Sequence, residues 1–372
     1  FENFAECPLR YYLRYGVDLK EREEFTFSPV NFGVVLHAVI REVCDEIKKN
    51  GESYYLISEE KRREMVKRSV AAITDIYQNS ILKDSSRNSF MIKRMEDLAD
   101  RTVWAMGEQL KCGDFVPFVF EHKFNMEVGD GDRKQLMSGT IDRVDICENG
   151  TDVYVRIIDY KTGKKDFNIV KTYYGIDIQL MVYMEAAMKL VAKMRPGKNV
   201  IPAGVFYYNI SDPIVSATTE SAEEIEDKIK GELRLKGMVN SDKDIAEKMD
   251  NTEGTSLNIP VSRKADGGFD SRRSKVMNTE QFNILGRFVD VRAIDTADRI
   301  AGGDIRRSPY KDGQFSSCDR CPYGAVCGFS VDLPGCNYRK LKKFDDEVLW
   351  NNIKEGVDEN GKKMDTGAEE RD

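Results

Sequence analysis

The chain has 372 residues, 41% of them hydrophobic and 33% charged, with a formal net charge of −7. That length holds one large domain or two ordinary ones, and no apolar run approaches the roughly 20 residues of a membrane span. No secretory signal opens the chain, which starts without Met on a helix-like pattern and reads as a piece of a longer protein.

The acidic excess is concentrated. Residues 344–372 hold ten Asp or Glu against four Lys or Arg, so the remainder is close to neutral. Basic clusters at 161–165 (KTGKK), 271–275 (SRRSK) and 338–343 (YRKLKK) are compatible with local positive surface. Any one of them alone reads more readily as solvated side chains on an ordinary face. Eight cysteines without a secretory signal point to a reducing, cytoplasmic setting, where clustered thiols favour metal over disulfide.

In chain order, residues 1–15 read as a short helix with Phe1, Phe4, Leu9, Tyr12 and Leu13 as apolar contacts, followed by a loop over 16–30. Residues 31–49 form a strong helix, apolar at Val35, Leu36, Val39, Ile40, Val43 and Ile47. Two more helices are expected near 58–80 and 89–112. The period then changes: 115–128, 135–147 and 152–163 read as three strands joined by short polar turns, hence an antiparallel meander. Residues 175–194 are a helix stopped by Pro196 and Gly197, and 200–210 an apolar strand. A helix between strands suggests a crossover that brings the last strand in parallel. Helices are expected again near 220–236 and at 279–302, around a loop at 251–272. The prediction is an α/β chain with a mixed sheet, as one domain over 1–340. Its core spans about 31–210, an additional region 211–302 and a cysteine cluster 316–329, and an acidic tail over 341–372 is disordered in part.

The chemistry concentrates in two places. Asp142 lies on the second strand and Asp159 on the third, and alternation places Asp159 and Lys161 on one face with Tyr160 on the other. An acid and a base at the end of the buried run VRII are costly unless paired or metal-bound. Two carboxylates from adjacent strands make a hard oxygen site suited to Mg²⁺ or Mn²⁺, with Lys161 placed to offset charge on a phosphoryl group. A plain Asp159–Lys161 ion pair is the alternative. Gly139, in GTID, and the pair Gln179 and Tyr183, four apart on one helix face, adjoin this motif. His37, amid GVVLHAVI, is either a core histidine or a metal ligand. Of Glu121 and His122, alternation aims one inward without saying which.

The second place is SSCDRCPYGAVCGF (316–329), where Cys318, Cys321 and Cys327 fall one short of a closed four-thiolate site. Cys7, 311 residues before Cys318, is one candidate for the fourth ligand, and Cys336 is its rival on proximity. If Cys7 closes the site, a metal staples the ends of a domain, an effect on the order of 4–5 kcal/mol by the disulfide analogy. The spacing suits an iron–sulfur cluster without excluding zinc. Cys44, Cys112 and Cys147 sit among apolar or helical neighbours as structural thiols.

Taken jointly, GVVLH, GTIDRVD, IIDYKTG and QLMVY resemble, in order and spacing, the PD-(D/E)XK nucleases of the RecB type. CPLRYYLRYG, LRLKGMVNSDKDIAEKMD and SPYKDGQFSSCDRCPYGAVCGF look like the nuclease domains of bacterial AddAB-type helicase–nucleases. The resemblance covers roughly residues 1–330. It implies a restriction-endonuclease-like core with helical additions and a [4Fe–4S] staple on Cys7, Cys318, Cys321 and Cys327, leaving Cys336 out. It assigns His37, Asp142 and Asp159 to a divalent cation, Lys161 to catalysis, and Gln179 and Tyr183 to the surrounding site. One departure is Asp159, where such nucleases often carry Glu. The resemblance further implies a longer chain with a helicase-like region, an AddA partner, and a DNA strand fed from an unwound end. It implies cleavage of the 5′-terminated strand during break processing. No phosphate-binding glycine loop is present, so ATP use does not belong to these residues. Competing readings are a non-catalytic DNA-binding or docking module of the same fold, and a zinc protein of another role.

Overall fold

A computed structural model of the chain describes residues 1–20, 29–76, 86–128, 134–216 and 221–369. Most of the expected loop at 16–30 and most of the turn between the first two strands lie outside the described residues.

Three helices come first among the large elements: α3 (Pro29–Lys49), α4 (Glu59–Ile76) and α5 (Ser86–Lys111). The six apolar positions expected on α3 are all buried, with Val35, Leu36, Val39, Val43 and Ile47 fully so. They form the stripe that a 3.6-residue period creates, and it faces the sheet rather than solvent. That sheet contains β1 (Val116–Val128), β2 (Gln135–Asn149), β3 (Asp152–Lys161), β4 (Asn199–Asn209), β5 (Lys236–Asn240) and β6 (Val276–Met277), side by side in chain order. β1, β2 and β3 are successively antiparallel, and β4 lies parallel to β3. The crossover between them carries α6 (Ile169–Tyr173) and α7 (Gln179–Met194). β5 and β6, antiparallel to β4 and parallel to β5 respectively, extend the far edge. They are too short, at five and two residues, to carry a readable period.

The period of two sorts β3 between two cores. Tyr154, Ile158 and Tyr160 pack beneath α3, α4 and α5. Val153, Val155 and Ile157 pack with α7 and α10 (Thr279–Ala301) on the other face. Both faces are covered, which is why this strand reads as a nearly unbroken apolar run. One polar island interrupts the first core: Arg143, Asp145 and Arg156 are wholly buried, with Asp145 accepting from both guanidinium groups.

The amino-terminal helix is broken. α1 (Glu2–Glu6) stops at Cys7, which is extended at φ −166° and ψ 120°, and α2 (Pro8–Tyr11) restarts at the proline. The ring of Pro8 disfavours helical backbone at the residue before it, so the break falls on Cys7. A turn of π-helix follows over Tyr12–Gly16, and Tyr12 is exposed rather than an apolar contact. α8 (Ala222–Glu232) and α9 (Lys243–Met249) flank β5, and a three-stranded sheet of order β8-β7-β9 holds the cysteine region. Its strands are β7 (Tyr310–Asp312), β8 (Phe315–Ser316) and β9 (Arg339–Lys340), with α11 (Gly324–Cys327) beside them. The acidic end is more than an appendage: α12 (Asp346–Glu369) buries Leu349 and Ile353 in the second core, so folded structure continues past 340. Side chains beyond residue 358 lie outside the described residues. No described helix is long and apolar enough to cross a membrane.

Candidate metal site and thiol site

The ladder between β2 and β3 ends at Arg143 opposite Ile158. One step on, the Tyr160 N–H donates 2.7 Å to the Asp142 carboxylate instead of to backbone. Asp142 is thereby fixed at the end of the pair, nearly buried, with its second oxygen 3.5 Å from His37 Nδ1. A Glu121 carboxylate oxygen lies 3.8 Å from the same nitrogen. One ligand atom from each of His37, Glu121 and Asp142 falls within 4.8 Å of the others.

Glu121 is thus the inward residue of the pair that alternation left open. Its backbone shows why. It sits in β1 at φ +47°, a left-handed conformation that is strained for Glu. Phe120 and His122 keep their partners Arg143 and Ile141 on β2, so Glu121 stands opposite Asp142 with the register unbroken. Backbone strain of this kind concentrates at functional sites.

Burial disfavours a charged His37, but the Asp142 and Glu121 carboxylates outweigh it and push the imidazole up to about 10.

Asp159 lies outside that three-residue group. It is 2% exposed, and one of its oxygens is 2.5 Å from Lys161 Nζ. The Lys161 ammonium is the partner of that buried oxygen, as a close ion pair. Burial first, and then the charge of Asp142, push Asp159 up to about 7, against the pull of Lys161. Lys161 Nζ donates to Gln179 Oε1 at 3.0 Å, and Gln179 Nε2 donates to Tyr183 Oη at 2.8 Å. The expected set therefore forms two adjoining groups. His37, Glu121 and Asp142 approach from the α3 face, and Asp159, Lys161, Gln179 and Tyr183 from the α7 side. Lys161 reaches a cleft of about 430 Å³ that is also lined by His37, Arg41, Glu121 and Thr162.

Gly139 keeps room for Tyr183. A Cβ there would stand 2.8 Å from the Phe124 ring and 3.2 Å from the Tyr183 ring. Lys165 adds a second ammonium, 3.0 Å from Asp177, which also accepts from the Tyr207 hydroxyl at 2.6 Å.

These donors fit a hard divalent cation: carboxylates and one imidazole, with the buried Asp159 carboxylate beside them.

The second site gathers Cys7, Cys318, Cys321 and Cys327 around one pocket. Cys336 is buried but does not line it. The amino-terminal segment is held there by the Leu9 N–H on the Arg306 carbonyl and by Ser317 Oγ on the Glu6 carbonyl, both at 3.2 Å. Tetrahedral zinc, with sulfurs at about 2.3 Å, places its thiolates about 3.8 Å apart. Four thiolates are a ligand set that zinc and an iron–sulfur cluster both accept. Burial pushes the Cys318 and Cys327 thiols up, with neighbouring cysteines adding to it.

A family described as the PD-(D/E)XK nuclease superfamily matches residues 1–328. The ATP-dependent helicase/deoxyribonuclease B-subunit of Caldanaerobacter subterraneus subsp. tengcongensis is 35% identical over 382 residues, covering 100% of this chain and 32% of the relative. Proteins of the same name from Thermoanaerobacter sp. (strain X514) and Clostridium acetobutylicum are 33% and 34% identical, covering 98% and 97% of this chain. The chain spans about a third of the length of each of these relatives.

Proposed function

The chain belongs to the PD-(D/E)XK nuclease superfamily, and on that premise we propose that it is the nuclease domain of an AddAB-type helicase–nuclease. In this reading it is a Mg²⁺-dependent deoxyribonuclease of the bacterial cytoplasm. It hydrolyses phosphodiester bonds in a DNA strand delivered from an unwound end, alongside an AddA partner. The supporting observation is the convergence of His37, Glu121 and Asp142 next to buried Asp159, whose carboxylate is paired with Lys161. Assignment of the 5′-terminated strand, and of break processing for recombination, rests on the AddAB resemblance alone.

His37, Asp142 and Asp159, joined by Glu121, would hold Mg²⁺ or Mn²⁺. The chemistry such a cation supplies when bound is polarisation of a phosphoryl oxygen and a lowered pKa for water. Asp159 and Lys161 are placed to orient the attacking water. The Lys161 ammonium offsets the charge that gathers on the phosphoryl oxygens as the new P–O bond forms and the old one breaks. Gln179 fixes the direction of Lys161, and Tyr183 fixes Gln179. Arg41, in the same cleft, is available to the flanking phosphate.

Cys7, Cys318, Cys321 and Cys327 would hold a [4Fe–4S] cluster as a structural staple, since phosphodiester hydrolysis transfers no electrons. The alternative of a non-catalytic DNA-binding module leaves the strained Glu121 without purpose. Purified protein is expected to cut single-stranded DNA only with Mg²⁺ or Mn²⁺. Asp159→Ala and Lys161→Ala are each expected to abolish cutting while the brown cluster colour survives. If either variant cuts like the parent, the centre lies elsewhere.

A further inference from the structure

The first four N–H groups of any helix lack partners within it. At α7 the residue before the helix, Ile178, offers no side-chain cap, and Asp177 is already engaged by Lys165 and Tyr207. The cap comes from 176 positions away: one Glu2 carboxylate oxygen accepts from the Ile178 N–H at 2.9 Å and from the Gln179 N–H at 3.0 Å. A carboxylate at this place also complements the partial positive charge of the helix end. Lys165 offsets its charge while Asp177 opposes it.

Glu2 opens α1, and Cys7 is the residue on which that five-residue helix ends. The far end of α1 is clamped as firmly as the near one. The Glu6 carbonyl accepts from Ser317 Oγ and from Arg339 Nη2, both at 3.2 Å, and the Ala5 carbonyl also accepts from Arg339. A rod of about 7.5 Å thus joins the thiol site to the first turn of α7. Gln179 in that turn is the residue that holds Lys161.

We propose that Glu2 is a positioning residue for the nuclease centre. It sets the first turn of α7, and through Gln179 the aim of Lys161, from the helix that ends on Cys7. The inference rests on the nuclease reading above, and it makes the thiol site a support for catalytic geometry as well as a staple. Without the cap, the first turn frays and Lys161 loses its fixed direction, although no group touching DNA has been removed.

The experiment compares the full chain with its Glu2→Gln and Glu2→Ala variants. The readouts are steady-state cleavage of a single-stranded oligonucleotide with Mg²⁺, iron per chain, and amide hydrogen exchange at Ile178 and Gln179. Glu2→Ala is expected to lower kcat about tenfold, a loss in line with misplacement of a reacting group. KM should stay within about twofold, iron should be unchanged, and exchange at both amides should be faster. Glu2→Gln keeps an oxygen acceptor and should restore most of kcat. A Glu2→Ala kcat close to that of the parent, or a Gln variant no better than Ala, overturns the proposal. Loss of iron together with activity would assign Glu2 to the thiol site instead. If the parent itself does not cut, the nuclease reading fails separately, and unchanged exchange at Ile178 and Gln179 would still refute the cap.

Discussion

Adding one methyl group at Gly139 tests how the centre is packed. Gly139→Ala places a Cβ 2.8 Å from two carbons of the Phe124 ring and 3.2 Å from a Tyr183 carbon. Carbon atoms prefer about 3.5–4.0 Å, so the Phe124 ring must move by roughly 0.7–1.2 Å. The Phe124 and Tyr183 rings now meet edge to face, 5.6 Å between centroids at 80°. Phe124 is half-buried and can swing, whereas Tyr183 is buried and tied to Gln179. The movement forfeits the aromatic pair, worth about 0.5–1.5 kcal/mol, and adds overpacking of about 1–3 kcal/mol. Alanine recovers about 0.4–1 kcal/mol by restricting the unfolded chain. The expected net loss is about 0.5–4 kcal/mol, centred near 2, in urea unfolding, with reduced cleavage because Tyr183 supports the Gln179–Lys161 pair. Phe124→Leu in the same chain removes the ring that clashes, so the double variant should be less destabilised than the sum of the singles by at least about 0.5 kcal/mol. Additive losses, or a Gly139→Ala chain as stable as the parent, would refute this reasoning.

Other perturbations reach different parts of the fold. Asp145→Asn leaves two buried guanidinium groups without their shared anion and is expected to cost about 3–5 kcal/mol in urea unfolding. A loss below about 1 kcal/mol would contradict the triad. Burial raises the Asp145 pKa, but Arg143 and Arg156 outweigh it and hold the carboxyl below its ordinary value. Its contribution is therefore present above about pH 4 and lost on acidification. Asp290 behaves in the opposite sense: burial first, and then Glu185, push it up to about 8. Its stabilising contribution is complete below about pH 4 and is lost as pH rises through about 8. Asp290→Asn should therefore be more stable than the parent at pH 9, by about 1–2 kcal/mol once solvent screening of this part-exposed group is included. The two should converge near pH 4, and a pH-independent difference in Tm would contradict the assignment. Cys7→Ala should lose iron, sulfide and several kcal/mol of stability, since the loop it closes is very long. Cys336→Ala should keep both iron and sulfide, and the reverse pattern would move the fourth ligand to Cys336.

Much of this protein is legible along the chain because its signals are local. The apolar stripe of α3, the three long strands and the unbroken run of β3 follow from periods of 3.6 and 2, which neighbouring residues carry among themselves. The motif containing Asp159 and Lys161, and the trio Cys318, Cys321 and Cys327, are local for the same reason. What the tertiary structure decided is absolute phase and long-range meeting. Alternation relates Glu121 to His122 but cannot say which faces in; a backbone at φ +47° turns Glu121 inward. Proximity favours Cys336 as the fourth thiol, yet Cys7 lines the pocket because Pro8 breaks the helix there and the carbonyls of α1 are held by Ser317 and Arg339. The cap that Glu2 places on α7 joins residues 176 positions apart, and no periodicity spans such a distance. Local propensity is written into adjacent residues, whereas contacts closed across the whole chain exist only once the two cores have packed around the sheet.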